Sequence, residues 1–232
     1  KLKRKFGVNV ELIPPKVPYK ETIKKSVKSE GKYKKQTGGH GQYGHCWLEI
    51  SPLPRGSNFE FESKIFGGAI PKQYIPAIEK GVVEAMQEGI LAGYPVVDIK
   101  VVVFDGSYHP VDSSELAFKI AASMALKKGF EEGDPILLEP IMSVKITIPE
   151  SYMGAVIDDL NTKRGRVLNI DSLNGLSVIN AEVPMVEMQR YTADLNSISG
   201  ARGYFEEVFS HYEEAHPKVL KSVLDAAKQI NV

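Results

Sequence analysis

The sequence contains only one cysteine and one tryptophan, Cys46 and Trp47, in 232 residues. A single cysteine excludes an internal disulfide framework and a zinc site made only of cysteines, as is usual in a reducing compartment. No apolar run approaches the roughly 20 residues that span a bilayer, and no signal-like segment follows the basic residues 1–5. We therefore expect a cytoplasmic protein without a membrane partner.

A nucleotide-binding motif is also missing. The pattern G-x-x-x-x-G-K-S/T does not occur, so we predict no P-loop for GTP or ATP. Residues 39–44 do match G-x-G-x-x-G, the dinucleotide fingerprint. That fingerprint requires a strand before it and a helix after it. Here a lysine-rich segment precedes the match and a strand-like segment follows it, so we expect no bound cofactor.

The sequence gives little support for a metal site. His40, His45, Cys46 and His109 could surround a zinc ion, but His45 and Cys46 are adjacent in a predicted strand. Their side chains should point to opposite faces, so we predict no metal site.

A hydrolase triad built from His109, Asp112 and Ser113 is the other catalytic candidate. Asp112 has a simpler role, because the segment from Asp112 to Glu115 matches a capping box and predicts a helix N-cap at Asp112. We therefore predict no catalytic residue. A free-standing hydrolase stays the weakest alternative, and His109 could also be a solvated loop histidine.

The net charge is zero, but the charges are unevenly distributed. Residues 1–130 contain 20 Lys and Arg against 13 Asp and Glu, and residues 131–232 contain 9 against 16. The excess is densest between positions 16 and 35, where eight lysines face two glutamates. Such a run is either a solvated surface or a flank that attracts phosphates. We predict a basic flank formed by Lys24, Lys25, Lys34 and Lys35.

Two glycine-containing loops without apolar periodicity lie at residues 36–45 and 105–112. Glycine lets a backbone turn sharply and approach a partner, and His, Tyr and Gln side chains can stack and form hydrogen bonds. A strand-like segment leads into the second loop, and a helical pattern follows it. We predict that the loops converge as a polar tip that contacts RNA, through Gly38, Gly39, His40, Gly41, Gln42, Tyr43, Gly44, His45, Ser107, Tyr108, His109 and Pro110.

The order of patterns predicts an α+β protein with two sandwich domains. Apolar alternation at residues 46–50 and 59–65 predicts strands, and the period at residues 71–89 predicts a helix. After an acidic stretch at residues 131–135, the order strand, helix, strand, strand, helix, strand is that of a ferredoxin-like split βαβ sandwich. Asn174-Gly175 between extended segments predicts a tight hairpin.

Six segments resemble, in order, the C-terminal third of bacterial elongation factor G, and together they are far more specific than any one of them. They are Gln36–His45, Ile90–Asp98, Gly106–His109, Val111–Phe118, Leu137–Met142 and Ala181–Pro184. The resemblance implies that residues 1–14 end the family's third domain. It also implies that residues 15–136 form the elongated fourth domain with a ribosomal-protein-S5-like fold, and residues 137–232 the ferredoxin-like fifth domain with a C-terminal helix.

The resemblance implies a ribosome-binding piece of a translational GTPase that promotes translocation of transfer and messenger RNA. The tip would contact both RNAs in the decoding region of the 16S ribosomal RNA, and the fifth domain would contact 23S ribosomal RNA. GTP and magnesium would bind an upstream domain, so this chain would need no cofactor and would not be an enzyme by itself. We expect a monomer.

Two departures from the family keep alternatives open. The family commonly has Arg where this chain has His40, and residues 199–205 differ from the usual pattern. These changes resemble a diverged second copy of elongation factor G, which could act in ribosome recycling or regulation. A tetracycline ribosome-protection GTPase shares the architecture, but its tip loops differ from those of this chain.

Overall fold

The computed structural model describes residues 16–36 and 41–230. Contacts divide the chain into two compact units. Among the described residues, the first unit contains residues 19–138 and 214–230, and the second contains residues 16–18 and 139–213. The strand predicted for residues 1–14 lies outside the described residues.

The first unit is built on a sheet whose strands lie in the order β2 (Val27–Gln36), β3 (Gly41–Pro52), β5 (Ile99–Ser107) and β4 (Phe59–Ser63). Strands β2, β3 and β5 are antiparallel neighbours, and β4 pairs in parallel with β5. The elements of this unit are β1 (Lys20–Ile23), β2 (Val27–Gln36), β3 (Gly41–Pro52), β4 (Phe59–Ser63), α1 (Ile75–Glu88), β5 (Ile99–Ser107), α2 (Glu115–Glu132) and, near the chain end, α6 (Pro217–Ile230).

Helices α1 and α2 cover one face of this sheet because alternate strand residues are apolar. In β3, Cys46, Leu48 and Ile50 are fully buried, and the residues between them are only half-buried. They pack with Phe118 and Leu126 of α2 into one core. The period-two pattern therefore fixes which strand residues face solvent.

Strand β1 carries a buried carboxylate. β1 pairs with residues 135–138, and Glu21 has no solvent exposure. Its two carboxylate oxygens accept hydrogen bonds at 2.7–2.9 Å from the backbone N–H groups of Ile90, Leu91, Ala92 and Tyr94. A buried acceptor with four donors holds the loop after α1 in one conformation.

The second unit has the predicted ferredoxin-like order. Its sheet has β8 (Leu176–Pro184) between β6 (Pro135–Pro149) and β7 (Arg166–Leu173), with β9 (Tyr204–Glu214) on the other side of β6. Helix residues Val156, Leu160, Tyr191 and Leu195 pack on this sheet. The elements are β6 (Pro135–Pro149, of which residues 139–149 lie in this unit), α3 (Met153–Thr162), β7 (Arg166–Leu173), β8 (Leu176–Pro184), α4 (Met185–Met188), α5 (Tyr191–Ser199) and β9 (Tyr204–Glu214).

Local signals in this unit also behave as expected. Asn174 and Gly175 have φ of 54° and 77° between β7 and β8, as a tight hairpin turn requires.

An ion pair also joins distant parts of this unit. Arg164 donates two parallel hydrogen bonds to the nearly buried Glu139, at 2.7 and 3.0 Å, and a third to Glu187. The mixed helix and sheet content confirms the α+β class.

The C-terminal helix was predicted to complete the second domain, and this boundary stays a prediction. Contacts group α6 with the first unit. Just before the helix, the Ala215 N–H donates to the Leu137 carbonyl at 2.9 Å, and the Lys24 side chain forms a 2.7 Å ion pair with Glu214.

Candidate nucleic-acid interface

Asp112 joins the two loops that the sequence singled out. Its carbonyl accepts from the Tyr43 N–H at 2.8 Å, and its carboxylate accepts from the Gly41 N–H at 3.0 Å. Tyr43 also forms a parallel bridge with Ser113. The described parts of both loops therefore meet at one end of the sheet. Gly38, Gly39 and His40 lie outside the described residues.

The predicted capping role of Asp112 was wrong. Helix α2 begins at Glu115, and its N-cap is Ser114, whose Oγ accepts from the Ala117 N–H at 3.2 Å. The capping-box pattern placed the helix start two residues too early, because the Asp112 carboxylate binds Gly41. Ser113 Oγ accepts from the His109 N–H at 2.9 Å and tightens the turn before the helix.

The loop fixes the ring of His109. Nδ1 lies 3.3 and 3.1 Å from the N–H groups of Val111 and Asp112, which donate to it. A neutral ring that accepts at Nδ1 carries its proton on Nε2. The side chain is 52% exposed, so the ring can offer this Nε2–H donor to a partner.

His45 is held more tightly and faces inward. Its side chain is only 14% exposed, Nε2 lies 2.9 Å from a Glu30 carboxylate oxygen, and Nδ1 lies 2.7 Å from Ser107 Oγ. The Tyr43 hydroxyl lies 2.7 Å from the same Oγ. A carboxylate only accepts, so Nε2–H donates to Glu30. With a neutral His45 ring, Ser107 then donates to Nδ1 and Tyr43 donates to Ser107.

This chain of hydrogen bonds corrects the predicted roles of His45 and Ser107. The polar atoms of both side chains are engaged within the protein, so they support the tip from behind. Glu30, His45 and Ser107 have the connectivity of a hydrolase triad. Because the Tyr43 hydroxyl also binds Ser107 Oγ, the arrangement favours a rigid support over a nucleophile.

Gly44 is also a correction. It is buried, and a Cβ there would lie 2.3 Å from the Ala117 carbonyl oxygen of α2. Gly44 therefore lets the helix approach the sheet and is not a contact surface. A side chain at Gly41 would also clash, because a Cβ there would lie 2.8 Å from the Asp112 carboxylate. The Gln42 side chain accepts from the Tyr33 hydroxyl at 3.0 Å.

Among the predicted tip residues that the structure describes, the exposed ones belong to the second loop. Tyr108, His109 and Pro110 are exposed, and the neighbouring Val111 is 67% exposed. Gly41, Gln42 and Tyr43 are half-buried. Within the described part of the tip, the surface is therefore carried by residues 108–111, with Gly41, Gln42 and Tyr43 packed behind and beside them.

The predicted basic flank is not continuous. Lys24 and Lys25 precede β2 and pair with Glu214 at 2.7 Å and Asp134 at 3.4 Å. Lys34 and Lys35 lie at the other end of β2, opposite Tyr43 and Gln42 of the first loop. Residues 27–33 of β2, roughly 23 Å of strand, lie between the two pairs. Among the described residues, no acidic side chain forms an ion pair with Lys34 or Lys35.

Metal-binding groups do not assemble at the described part of the tip. Burial raises the pKa of the Cys46 thiol to about 12, and the Cys46 and His45 side chains point to opposite faces. Within residues 16–36 and 41–230, Glu182, His211 and Glu213 of the second unit are the group with metal-ligand spacing. Arg166 already binds both carboxylates of that group.

Sequence reasoning missed two residues that support the tip, Glu30 and Tyr74. Glu30 anchors His45, and the Tyr74 hydroxyl donates to the Ser113 carbonyl at 3.2 Å. The Tyr74 ring also stacks on Phe118, with centroids 4.7 Å apart. Glu30 could have been found in the sequence, because it is an isolated glutamate in a lysine-rich strand. No local pattern identifies Tyr74 as a support of the tip.

Comparison with known families covers both units. A family model for elongation factor G, domain IV, matches residues 15–134, which is more than half of the chain, and a model for the elongation factor G C-terminus matches residues 136–223. The chain belongs to the elongation factor G family. The resemblance of the six segments is thereby confirmed, and the paired units correspond to C-terminal parts of elongation factor G.

A solved structure is similar over nearly the same range. A crystal structure of a protein from Thermus thermophilus shares 48% sequence identity with this chain at a TM-score of 0.84. The match covers 97% of this chain and 34% of that one, so this elongation factor G chain spans about a third of its length. Among the described residues, no helix is both long and apolar enough to cross a membrane.

Proposed function

We propose that this chain is the ribosome-contacting part of a translational GTPase that promotes translocation of transfer and messenger RNA. The observation that carries the proposal is the joining of the two loops by Asp112, which holds the described part of the first loop behind and beside the exposed residues 108–111. In the full-length protein, which we expect to be a cytoplasmic monomer, GTP and magnesium would bind an upstream domain. The tip would meet RNA of the decoding region.

The chemistry of the tip suits RNA recognition by shape. His109 offers an Nε2–H donor that a phosphate or 2′-hydroxyl oxygen can accept, and Tyr108 offers a ring for stacking. Lys34 and Lys35 add salt-dependent attraction beside the first loop. The hydrogen bonds behind the tip keep these groups in place, so the chain acts by position and makes or breaks no bond.

The first test replaces the exposed donor. His109→Ala in the full-length protein should slow translocation roughly tenfold, the effect of about 1.4 kcal/mol, because one hydrogen bond to RNA is lost. GTP hydrolysis on the ribosome should stay nearly unchanged, since the upstream domain is intact. Rapid kinetics of both steps check this, and equal losses in both would contradict a role at the tip.

The second test compares the two lysine pairs. Replacing Lys34 and Lys35 by Ser should weaken ribosome binding and lower the slope of log K against log salt by about 2, roughly one unit per phosphate contact. The matched control replaces Lys24 and Lys25 by Ser, which should leave the slope nearly unchanged because both lysines already pair with acidic residues. Identical slopes for both variants would show that Lys34 and Lys35 do not contact phosphates.

A further inference from the structure

Phe66 is the most exposed large hydrophobic residue of the described chain, at 92%. It lies in the turn that follows β4. Gly67 and Gly68 have φ of 64° and 75°, and the Ala69 N–H donates to the Phe66 carbonyl at 3.4 Å. Two positive φ values in succession are those of a type I′ turn, which residues other than Gly, Asn or Asp enter with strain. The turn therefore has a defined shape and presents the ring to solvent.

This turn lies beside the second loop of the tip. Strand β4 runs parallel to β5, Ser63 is opposite Val103, and the Lys64 N–H donates to the Val103 carbonyl at 2.8 Å. A Cβ built on Gly106 would lie 2.6 Å from Cδ1 of Ile70. The segment around Phe66 thus follows β5 to the point where the loop at residues 107–112 begins.

Exposed apolar side chains of the first unit are concentrated at this end. Among residues 19–138 the large exposed ones are Phe66, Tyr108, Val111, Leu116 and Met124. Met124 lies in the middle of α2, and the other four lie in the two adjacent loops or the first turn of that helix. A scattered exposed apolar residue needs no explanation, whereas a group at one end indicates a contact surface.

We propose that Phe66 is a third contact point of the tip and stacks on an unpaired base of ribosome-bound RNA. The inference rests on the proposed function and adds a residue that neither loop contains. A flat ring on a narrow turn suits stacking, which tolerates any base because every base has a π-face. The exposed Lys72 follows the turn and can attract a phosphate of the same strand, whereas the exposed Lys64 pairs with Glu62 at 3.7 Å.

The test uses the full-length protein and ribosomes that carry messenger and transfer RNA. Phe66→Ala and Phe66→Leu should each weaken binding about 5- to 100-fold, the range of one lost base stack. Phe66→Tyr keeps the aromatic face and should bind within about twofold of the parent, since stacking needs a ring and not a specific base. Chemical probing should show one unpaired base that the parent and Phe66→Tyr protect and the other two variants leave reactive.

One control variant and the pattern of outcomes separate a failure of the Phe66 inference from a failure of the proposed function. Met124→Ala removes an exposed apolar side chain of the same unit away from the tip and should bind like the parent. If Phe66→Leu binds as tightly as the parent, the contact does not need an aromatic ring and the stacking proposal is wrong. If Phe66→Ala has no effect while His109→Ala slows translocation, only the Phe66 inference fails. If neither substitution has an effect, the tip function itself fails.

Discussion

Two carboxylates of the first unit each bind a loop about 70 residues away along the chain, and they do so in different surroundings. Glu21 is fully buried and accepts from four backbone N–H groups. Asp112 is 25% exposed at the side chain and accepts from one backbone N–H group, that of Gly41. The same type of contact therefore serves stability in one place and the position of a surface in the other.

The two sites differ in stability effect because water can replace a lost hydrogen bond only where it reaches the groups involved. Donors left without an acceptor in the interior cost about 1–3 kcal/mol each, because water cannot reach them. At Asp112 water can replace much of what is lost, so the energetic effect should be small. The geometric effect can still be large, because Asp112 determines where the Gly41 loop lies relative to His109.

The comparison predicts the largest loss of stability at Glu21. Glu21→Ala should lower the free energy of unfolding of the first unit by about 4 kcal/mol, since four buried donors lose their acceptor. Glu21→Gln keeps one acceptor oxygen and should lose about half of that. Urea unfolding followed by the fluorescence of Trp47, which lies in this unit, measures both. A loss below about 1 kcal/mol for Glu21→Ala would show that the loop does not depend on the carboxylate.

Asp112 should behave in the opposite way. Asp112→Ala should cost at most about 1 kcal/mol of stability, but should slow translocation on the order of tenfold, because a misplaced contact loop reduces productive geometry. Asp112→Asn retains an acceptor oxygen for Gly41 and should recover most of the rate. A destabilised Asp112→Ala protein with a normal rate would erase the contrast with Glu21.

The smallest effect is expected at the helix start behind the tip. Ser114→Ala should lower stability by about 1 kcal/mol, the usual contribution of an N-cap, and Ser114→Asp should restore it. Neither should change translocation as much as Asp112→Ala, because the Ser114 side chain binds the backbone of its own helix. If removal of Ser114 had no effect on thermal or urea unfolding, the assignment of the N-cap would be wrong.

The sequence predicted much of the fold because its signals are local. The alternation in β3, the Asn174-Gly175 turn and the βαββαβ order of the second unit follow from residue spacing. The helix start was wrong by two residues, because Asp112 and Ser114 both suit an N-cap and only the position of Gly41 decides between them. The boundaries of the domains stay predictions.

The site was predicted less well than the fold. Composition identified the two loops, but it could not separate exposed residues from supporting ones. His45 and His109 look equally suited to RNA contact in the sequence, yet one has both ring nitrogens engaged in the protein and the other is half exposed. Likewise, Gly44 looks like a flexible loop residue but is a packing requirement of α2.

The sequence by itself determined the family, the α+β class and the segments that form the tip, because motifs and apolar periodicity are written along the chain. Only the tertiary structure decided which lysines lie beside the tip, which histidine is available, and that Phe66 stands next to the second loop. These facts depend on strand register, which brings together residues that are far apart in the sequence.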